Sequence, residues 1–485
     1  MKNPLVLKIL GWFGLVVSGT LVLPLAWALW DASADWLPIL CSLAAGGVLS
    51  GLMIFVGTGL SAQKEQNINA GDAAVIVTGA WVLASALGAL PYWLGGYCSY
   101  TDAFFEAMSG FTTTGASVFP LVEALPRGIL FWRALTHWLG GMGIIVLGLT
   151  VLKLSGVGGM ELYKAEAPTP LPEKLTPRLC QTALWLWLIY MGLTAAETAA
   201  LVVCGMTPFH ALCHAFSTMA TGGFSTFNGS VGQLNSPAVE WVIIVFMVLA
   251  GVNFTLHFLA LRGEVSCYWK DDECRLYGGI LLAGGAFAAV LAMRAGFFTQ
   301  WGEAFRRGLF TVVSTMTTTG FVVCNYDLWP AAAKFLLMLL ICIGASAGST
   351  GGGMKCARII VLFRQCRREL RHSLAPYRVD VLHYGGGQLK DRDVSSIGTF
   401  FVAYVSCLGL LSLLAALLGC DATTALTSVI TCLGNTGPGL GSVGPVGNYA
   451  ALAGSVKWVL SFAMLLGRLE IITVALAFFS SFRRL

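Results

Sequence analysis

The chain has 485 residues, 56% hydrophobic and only 11% charged, whereas soluble domains carry about 25% charged residues. With a mean hydropathy of +0.77, a water-soluble globular protein is excluded and a multi-pass membrane protein is expected. The net charge of +5 discriminates little by itself.

In chain order, apolar stretches of spanning length fall near 9–30, 37–60, 73–96, 127–152, 181–204, 238–261, 277–298, 331–363, 398–419 and 452–480, ten candidate spans. The first is too long for the apolar region of a signal peptide and lacks a small-x-small cleavage site, so it reads as a span. An even number of spans puts both termini on one side. The linkers 153–178, 262–275 and 354–393 are rich in Lys and Arg and fall on that side, with Lys2, Lys8, Arg483 and Arg484. The positive-inside rule makes it the cytoplasm. Arg306 and Arg307 fall outside and run against the rule.

Four shorter apolar stretches, near 101–113, 208–220, 303–318 and 421–434, lie between the spans. They are too short to cross and read as re-entrant segments. They run into MSGFTTTGAS, FSTMATGGFS, STMTTTGFVV and TCLGNTGPGL. Aligned on glycine, these give Gly115, Gly222, Gly320 and Gly437, at spacings of 107, 98 and 117 residues. Thr114, Thr221, Thr319 and Thr436 precede them, and Ser109, Ser217, Ser314 and Thr431 lie five or six positions upstream. One Thr-Gly step means nothing. Four, each between a short stretch and a full span, are an internal repeat. The unit is span, short helix, loop, span, with two extra spans before the first.

Non-helical backbone at membrane depth is tolerated only where it is buried in protein or lines an aqueous cavity. Four copies around one axis bring four loops together, and glycine lets successive carbonyls turn toward that axis. Such a ring can replace the hydration shell of a cation. Each short helix also aims its partly negative C-terminal end there. Buried turns that merely pack the repeats are the plainer reading, but four such turns need not all be Thr-Gly.

At these residues the chain resembles the Trk/Ktr/HKT superfamily of potassium transporters, closest to the bacterial TrkH branch, over essentially all of residues 70–485. The resemblance implies an all-α fold of four span–pore helix–span repeats with pseudo-fourfold symmetry around one ion pore. It divides the chain into two N-terminal spans (1–68) and repeats at 69–178, 179–272, 273–393 and 394–485. It places the potassium filter at Thr113, Thr114 and Gly115; Ala220, Thr221 and Gly222; Thr318, Thr319 and Gly320; and Asn435, Thr436 and Gly437. Glycine rather than serine at position 115 implies potassium over sodium. The expected function is potassium uptake across a bacterial inner membrane by a protein that is not an enzyme, carries no organic cofactor and binds no nucleic acid. A TrkA-like cytosolic subunit that binds NAD or ATP, and a homodimer in the lipid bilayer, are the implied partners. The basic linker 354–393 is a plausible docking surface.

Residues 344–353 read GASAGSTGGG inside an apolar run. A phosphate-binding loop needs G-x-x-x-x-G-K-[ST] between a strand and a helix. Here Met354 separates Lys355 from the last glycine, and Cys356 is not Ser or Thr. The stretch reads as a broken span, and the resemblance makes it a gate below the filter, with Gly344, Gly348, Gly351, Gly352 and Gly353 as its hinge. Arg468 lies near the middle of the last span, where a charge is costly and needs a polar partner. It is expected to donate to carbonyls of this loop and to add a positive barrier, with a structural ion pair as the alternative. Glu470, two residues on, would point elsewhere along a helix.

Glu197 is a second mid-span charge, expected to hydrogen-bond a neighbouring repeat, or to couple proton or sodium movement in an alternating-access secondary transporter. Asn253 and His257, at i and i+4, read as structural. His210, Cys213 and His214 have metal-like spacing and are the best residues for a third reading, a membrane-embedded metalloenzyme. The fourteen cysteines contain no CxxC pair and read as small apolar fillers.

Overall fold

The computed structural model describes residues 4–61, 70–143, 179–375, 377, 380–385 and 387–482. The described chain is helical apart from loops and one two-stranded hairpin. Helices α1 (Pro4–Thr20) and α2 (Val22–Trp30) make the first span, and α3 (Trp36–Ser61) the second. The first repeat holds α4 (Ala70–Gly88), α5 (Leu90–Leu94), the short α6 (Tyr100–Phe111) and α7 (Arg127–Trp138), which passes into a π-helical turn at Leu139–Gly143. The second holds α8 (Leu179–Val203), the short α9 (Pro208–Met219), α10 (Pro237–Gly251) and α11 (Phe254–Leu261), then α12 (Cys267–Lys270). The third holds α13 (Asp272–Arg294), the short α14 (Trp301–Met316), α15 (Ala331–Ile343) and α16 (Cys356–Leu374). Strands β1 (His383–Tyr384) and β2 (Gly387–Gln388) pair antiparallel, His383 opposite Gln388. The fourth repeat holds α17 (Asp391–Leu417), the short α18 (Ala422–Gly434), α19 (Gly454–Leu469) and α20 (Ile471–Phe482).

Among the described residues, six helical segments are long and apolar enough to cross a bilayer. Their outward side chains include Phe55, Trp185, Leu282 and Leu410, a surface that only lipid would solvate. The basic linker 153–178 lies outside the described residues.

Uninterrupted spans expected at 238–261 and 452–480 are instead broken pairs. α10 and α11 meet at 98°, and α19 and α20 at 107°. At the first break Asn253 caps the new helix, accepting the Thr255 N–H at 2.8 Å. His257 then closes the old one, one ring nitrogen 2.9 Å from the Leu249 carbonyl and the other 2.8 Å from the Tyr268 hydroxyl. The two residues therefore repair a break rather than share a face of one continuous span. At the second break Glu470 adopts φ +60°, a left-handed conformation unfavourable for a residue with a Cβ.

Each short helix leans on the second helix of the repeat before it: α9 on α7, α14 on α10, α18 on α15, and α6 on α19, which closes the ring between last and first repeats. Ion pairs mark two of these contacts. Lys457 of α19 is 2.5 Å from Asp102 of α6, and Arg306 of α14 is 2.6 Å from Glu240 of α10. Arg307 lies 3.3 Å from Glu303 one turn away. The two outer arginines that defy the charge rule are thus neutralised locally, inside the protein rather than in a loop. Phe105, Phe111, Trp132, Val313, Leu433 and Met464 fill the core around the short helices.

Candidate functional site

Three of the four short helices start with side-chain caps, while Gln300 before α14 makes none. Ser99 accepts the Asp102 N–H at 3.2 Å, Thr207 that of His210 at 3.5 Å and Asp421 that of Thr424 at 3.1 Å. Such oxygens satisfy donors that a helix start leaves free. The Thr424 bonds hold the Asp421 carboxyl below its ordinary range.

At the inner ends all four helices stop in the same way. The N–H groups of Thr114, Gly222, Thr319 and Thr436 donate to the carbonyls of Ser109, Ser217, Ser314 and Thr431 at 2.8, 2.8, 2.9 and 2.8 Å. The residue before each donor is left-handed: Thr113 at φ +54°, Thr221 at +52°, Thr318 at +58° and Asn435 at +54°. This is the Schellman termination, usually made by glycine. Holding threonine or asparagine there is strained, and such strain clusters at functional sites. Two residues on, Gly115, Gly223, Gly320 and Gly437 have φ +79°, +81°, +81° and +90°.

This geometry corrects the second loop. The Thr-Gly alignment selects Ala220, Thr221 and Gly222. By backbone conformation and hydrogen bonding, Thr221, Gly222 and Gly223 are equivalent to Thr113, Thr114 and Gly115. Ala220 instead ends the helix in a right-handed conformation, as Thr317 does. Threonine takes the strained first position in this loop and glycine the second, which moved the Thr-Gly step by one.

The four loops close a ring. A Cβ placed on Gly115 would strike the carbonyl oxygen of Gly222; on Gly223, that of Thr319; on Gly320, that of Thr436; and on Gly437, that of Thr114 at 2.6 Å. Each positive-φ glycine is thus pressed against the middle carbonyl of the next loop. Thr113, Thr114, Thr221, Thr318, Thr319, Asn435 and Thr436 are all buried. A buried outer layer pins this backbone. The Tyr449 hydroxyl donates to the Gly437 carbonyl at 2.6 Å, Ser314 to that of Phe321 at 2.7 Å, and Asn435 Nδ2 to Thr114 Oγ1 at 3.0 Å. Behind the first two loops, Arg133 donates to Glu106 at 2.8 Å and to the Ser225 carbonyl at 3.2 Å, and stacks over Phe224. Glu106 also accepts the Val118 N–H at 2.9 Å.

The second helix of every repeat is interrupted near this ring, at the π turn 139–143, at 252–253, at 344–355 and at Glu470. Among the interruptions at 252–253, 344–355 and Glu470, the third repeat's is the long one. Gly344, Gly348 and Gly353 have φ +73°, +71° and +73°, and Lys355 has +75°. The loop presses on the ring: the Gly352 N–H donates to Thr318 Oγ1 at 2.7 Å, and a Cβ on Gly351 would meet the Thr317 carbonyl at 3.0 Å. It also stitches the second repeat's break, with Ser346 N–H on the Gly251 carbonyl at 3.1 Å and Phe254 N–H on that of Gly348 at 3.0 Å.

Arg468 crosses the space between loop and ring. It donates to the Thr350 carbonyl at 3.0 Å, to Thr113 Oγ1 at 3.2 Å, and to the Gly140 and Gly141 carbonyls at 2.5 and 2.7 Å. Sequence reasoning missed a second cation, Lys355, whose ammonium donates to the Gly351 carbonyl. It missed Arg133 and Glu106 as well, although each is a charge inside an apolar run. Glu470 does turn away from Arg468, and pairs with Arg358 at 2.6 Å.

The remaining candidates do not assemble a site. His214 uses both ring nitrogens, on the His210 carbonyl at 2.7 Å and Ser225 Oγ at 3.0 Å, and His210 is 2.8 Å from Thr226 Oγ1. These contacts brace the second loop, and among the described residues no group of three His, Cys, Asp or Glu side chains converges. Glu197 is fully buried, and the Thr218 hydroxyl of α9 is the polar group beside its carboxyl. Thr218 belongs to the same repeat, so among the described residues the expected bond to a neighbouring repeat is not formed.

Four interrupted helices around a central ring of main-chain loops, inside an apolar exterior, define a multi-pass membrane transport protein. Residues 48–267 and 286–483 match the TrkH family, described as cation transport protein, and the chain belongs to that family. It is 38% identical to the Trk system potassium uptake protein TrkH of Salmonella typhimurium over 98% of both chains. Against the protein of that name from Vibrio parahaemolyticus it is 40% identical over 87% of this chain and 88% of that one. The crystal structure of the potassium transporter TrkH from Vibrio parahaemolyticus superimposes with a TM-score of 0.86 at 35% identity, covering 98% of each chain. These relatives are transporters, not enzymes.

Proposed function

We propose that the chain is a potassium uptake protein whose ion path runs along the axis of the four-loop ring. The observation that carries this reading is the closed cycle of glycine–carbonyl contacts, Gly115 to Gly222, Gly223 to Thr319, Gly320 to Thr436 and Gly437 to Thr114. Carbonyls held in such a cycle substitute for the water that a potassium ion loses on entry. The C-terminal ends of four short helices add a negative field at the same point. The names of these relatives support potassium as the ion.

Below the ring, the loop 344–355 closes the path, and Arg468 and Lys355 add positive charge where a departing cation must pass. Opening moves the loop, whose helical hydrogen bonds are already forgone. A cytosolic NAD- or ATP-binding subunit of the TrkA kind sets its position by docking on the basic face of α16, in an assembly of two copies of the chain. The protein sits in a bacterial inner membrane with both termini in the cytoplasm, and each repeat, bounded at 69–178, 179–272, 273–393 and 394–485, supplies one quadrant of the pore.

The test is rubidium and potassium uptake into liposomes holding the purified chain, with sodium as competitor and no proton or sodium gradient. Potassium-selective flux down its own gradient supports the pore. The fully buried carboxyl of Glu197 favours a second reading, in which a proton or sodium gradient drives uptake. Flux that appears only with such a gradient, and is lost in Glu197→Gln, would establish that reading instead.

A further inference from the structure

The third repeat enters its first span through the sequence DDEC, residues 271–274. Glu273, in the first turn of α13, is buried at 4% exposure. Its Oε1 accepts two main-chain donors, the N–H of Ala347 at 2.7 Å and that of Ala357 at 2.8 Å. Ala347 lies inside the glycine-rich loop, and Ala357 is the second residue of α16, where the helix start leaves N–H groups free. One carboxylate oxygen therefore fastens the loop to the helix that follows it. The second oxygen accepts the Tyr384 hydroxyl of β1 at 3.3 Å. A parallel path runs beside it: Asp272 accepts Arg364 of α16 at 2.7 Å, and Arg364 donates to the His383 carbonyl at 2.5 Å. The hairpin itself is held by a small apolar cluster of Val361, Leu382, Leu389, Val394 and Ile397.

We propose that Glu273 is a positioning residue that holds the 344–355 loop closed, and that Tyr384 passes movements of the cytosolic hairpin to it. The inference rests on the reading of that loop as a gate. The chemistry suits the task. A buried carboxylate binds two N–H groups more firmly than a neutral acceptor does, yet its grip depends on where the carboxylate sits. The Tyr384 hydroxyl is the contact from the hairpin that sets this place, so a pull on the hairpin loosens both main-chain bonds together.

The experiment measures potassium flux through the full-length chain in liposomes, normalised to folded protein by size-exclusion profile. Glu273→Ala, Glu273→Gln and Tyr384→Phe are each made in the parent and in a variant with residues 349–352 deleted. Glu273→Ala is expected to raise flux in the parent about tenfold, the equivalent of one lost bond to a charged group. Glu273→Gln keeps an acceptor oxygen and is expected to restore most of the closed behaviour. Tyr384→Phe removes only the hairpin contact and is expected to raise flux by a smaller factor. None of the three should change flux once the loop is shortened. Unchanged or reduced flux in both Glu273→Ala and Tyr384→Phe, beside a shortened loop that conducts more than the parent, overturns the assignment of Glu273. A shortened loop that conducts no more than the parent overturns the gate itself. If Glu273→Ala does not fold, Tyr384→Phe decides alone.

Discussion

The register of the second loop makes the sharpest prediction. Gly223→Ala adds a methyl group at φ +81°, which strains the backbone by about 1–2 kcal/mol. The same methyl lands on the Thr319 carbonyl oxygen, so that carbonyl must turn off the ring. A deficit of about 1.4 kcal/mol in holding potassium relative to sodium lowers discrimination about tenfold. Gly222→Ala differs in kind. Position 222 is not left-handed, and its added Cβ meets the His137 ring at 2.4–2.7 Å, a side chain rather than backbone. A Gly222→Ala, His137→Ala double variant should therefore regain selectivity, whereas no single side-chain truncation should rescue Gly223→Ala. Rubidium uptake against a sodium competitor, in liposomes of matched protein content, reads both. Wild-type discrimination in Gly223→Ala, with lasting loss in the Gly222→Ala double variant, would make Gly222 the equivalent of Gly115 and refute the register.

Arg468→Gln keeps some hydrogen bonding but removes the charge, and single-channel or bulk flux measurements should show potassium conduction raised several-fold, with weaker dependence on ionic strength. Gly115→Ser adds a side chain against the Gly222 carbonyl, and sodium uptake relative to potassium should increase. Arg133→Ala strands the Glu106 carboxylate, which accepts Arg133 at 2.8 Å in a buried site; thermal unfolding in detergent should show a loss of about 3–5 kcal/mol. Replacing both members, Arg133→Met with Glu106→Gln, should recover much of that loss. Glu197→Gln, near-isosteric and able to keep a contact with the Thr218 hydroxyl, should leave potassium flux without a driving gradient, and thermal stability, unchanged in the pore reading.

The repeat was legible because each loop must end a helix at membrane depth, and few residue patterns do that. The position within the second loop was not, because ATGG offers two glycines and the eye follows Thr-Gly. The usable signal was the upstream hydroxyl: Ser109, Ser217, Ser314 and Thr431 stand six residues before Gly115, Gly223, Gly320 and Gly437. The break at 344–353 announces itself through glycine, but those at Val252 and Glu470 do not. Their helices stop because neighbouring repeats take over the freed N–H and carbonyl groups, as the Phe254–Gly348 bond does, and such partners are invisible along the chain. The same holds for Glu273 and Arg306, whose charges look misplaced until a residue dozens of positions away is brought beside them.

The ring is built from one polypeptide, and this sets what mutation can do to it. In an assembly of four identical subunits, every substitution appears four times, and a strain of about 1 kcal/mol becomes about 4 kcal/mol. Here each quadrant carries its own sequence. The third has accepted a twelve-residue interruption, 344–355, and the fourth an arginine at 468, while the breaks at 252–253 and Glu470 are short. If the 344–355 loop is the gate proposed above, the movable part is confined to one quadrant of the ring. On that proposal, opening would displace a single wall and leave the other three loops of the ring in place.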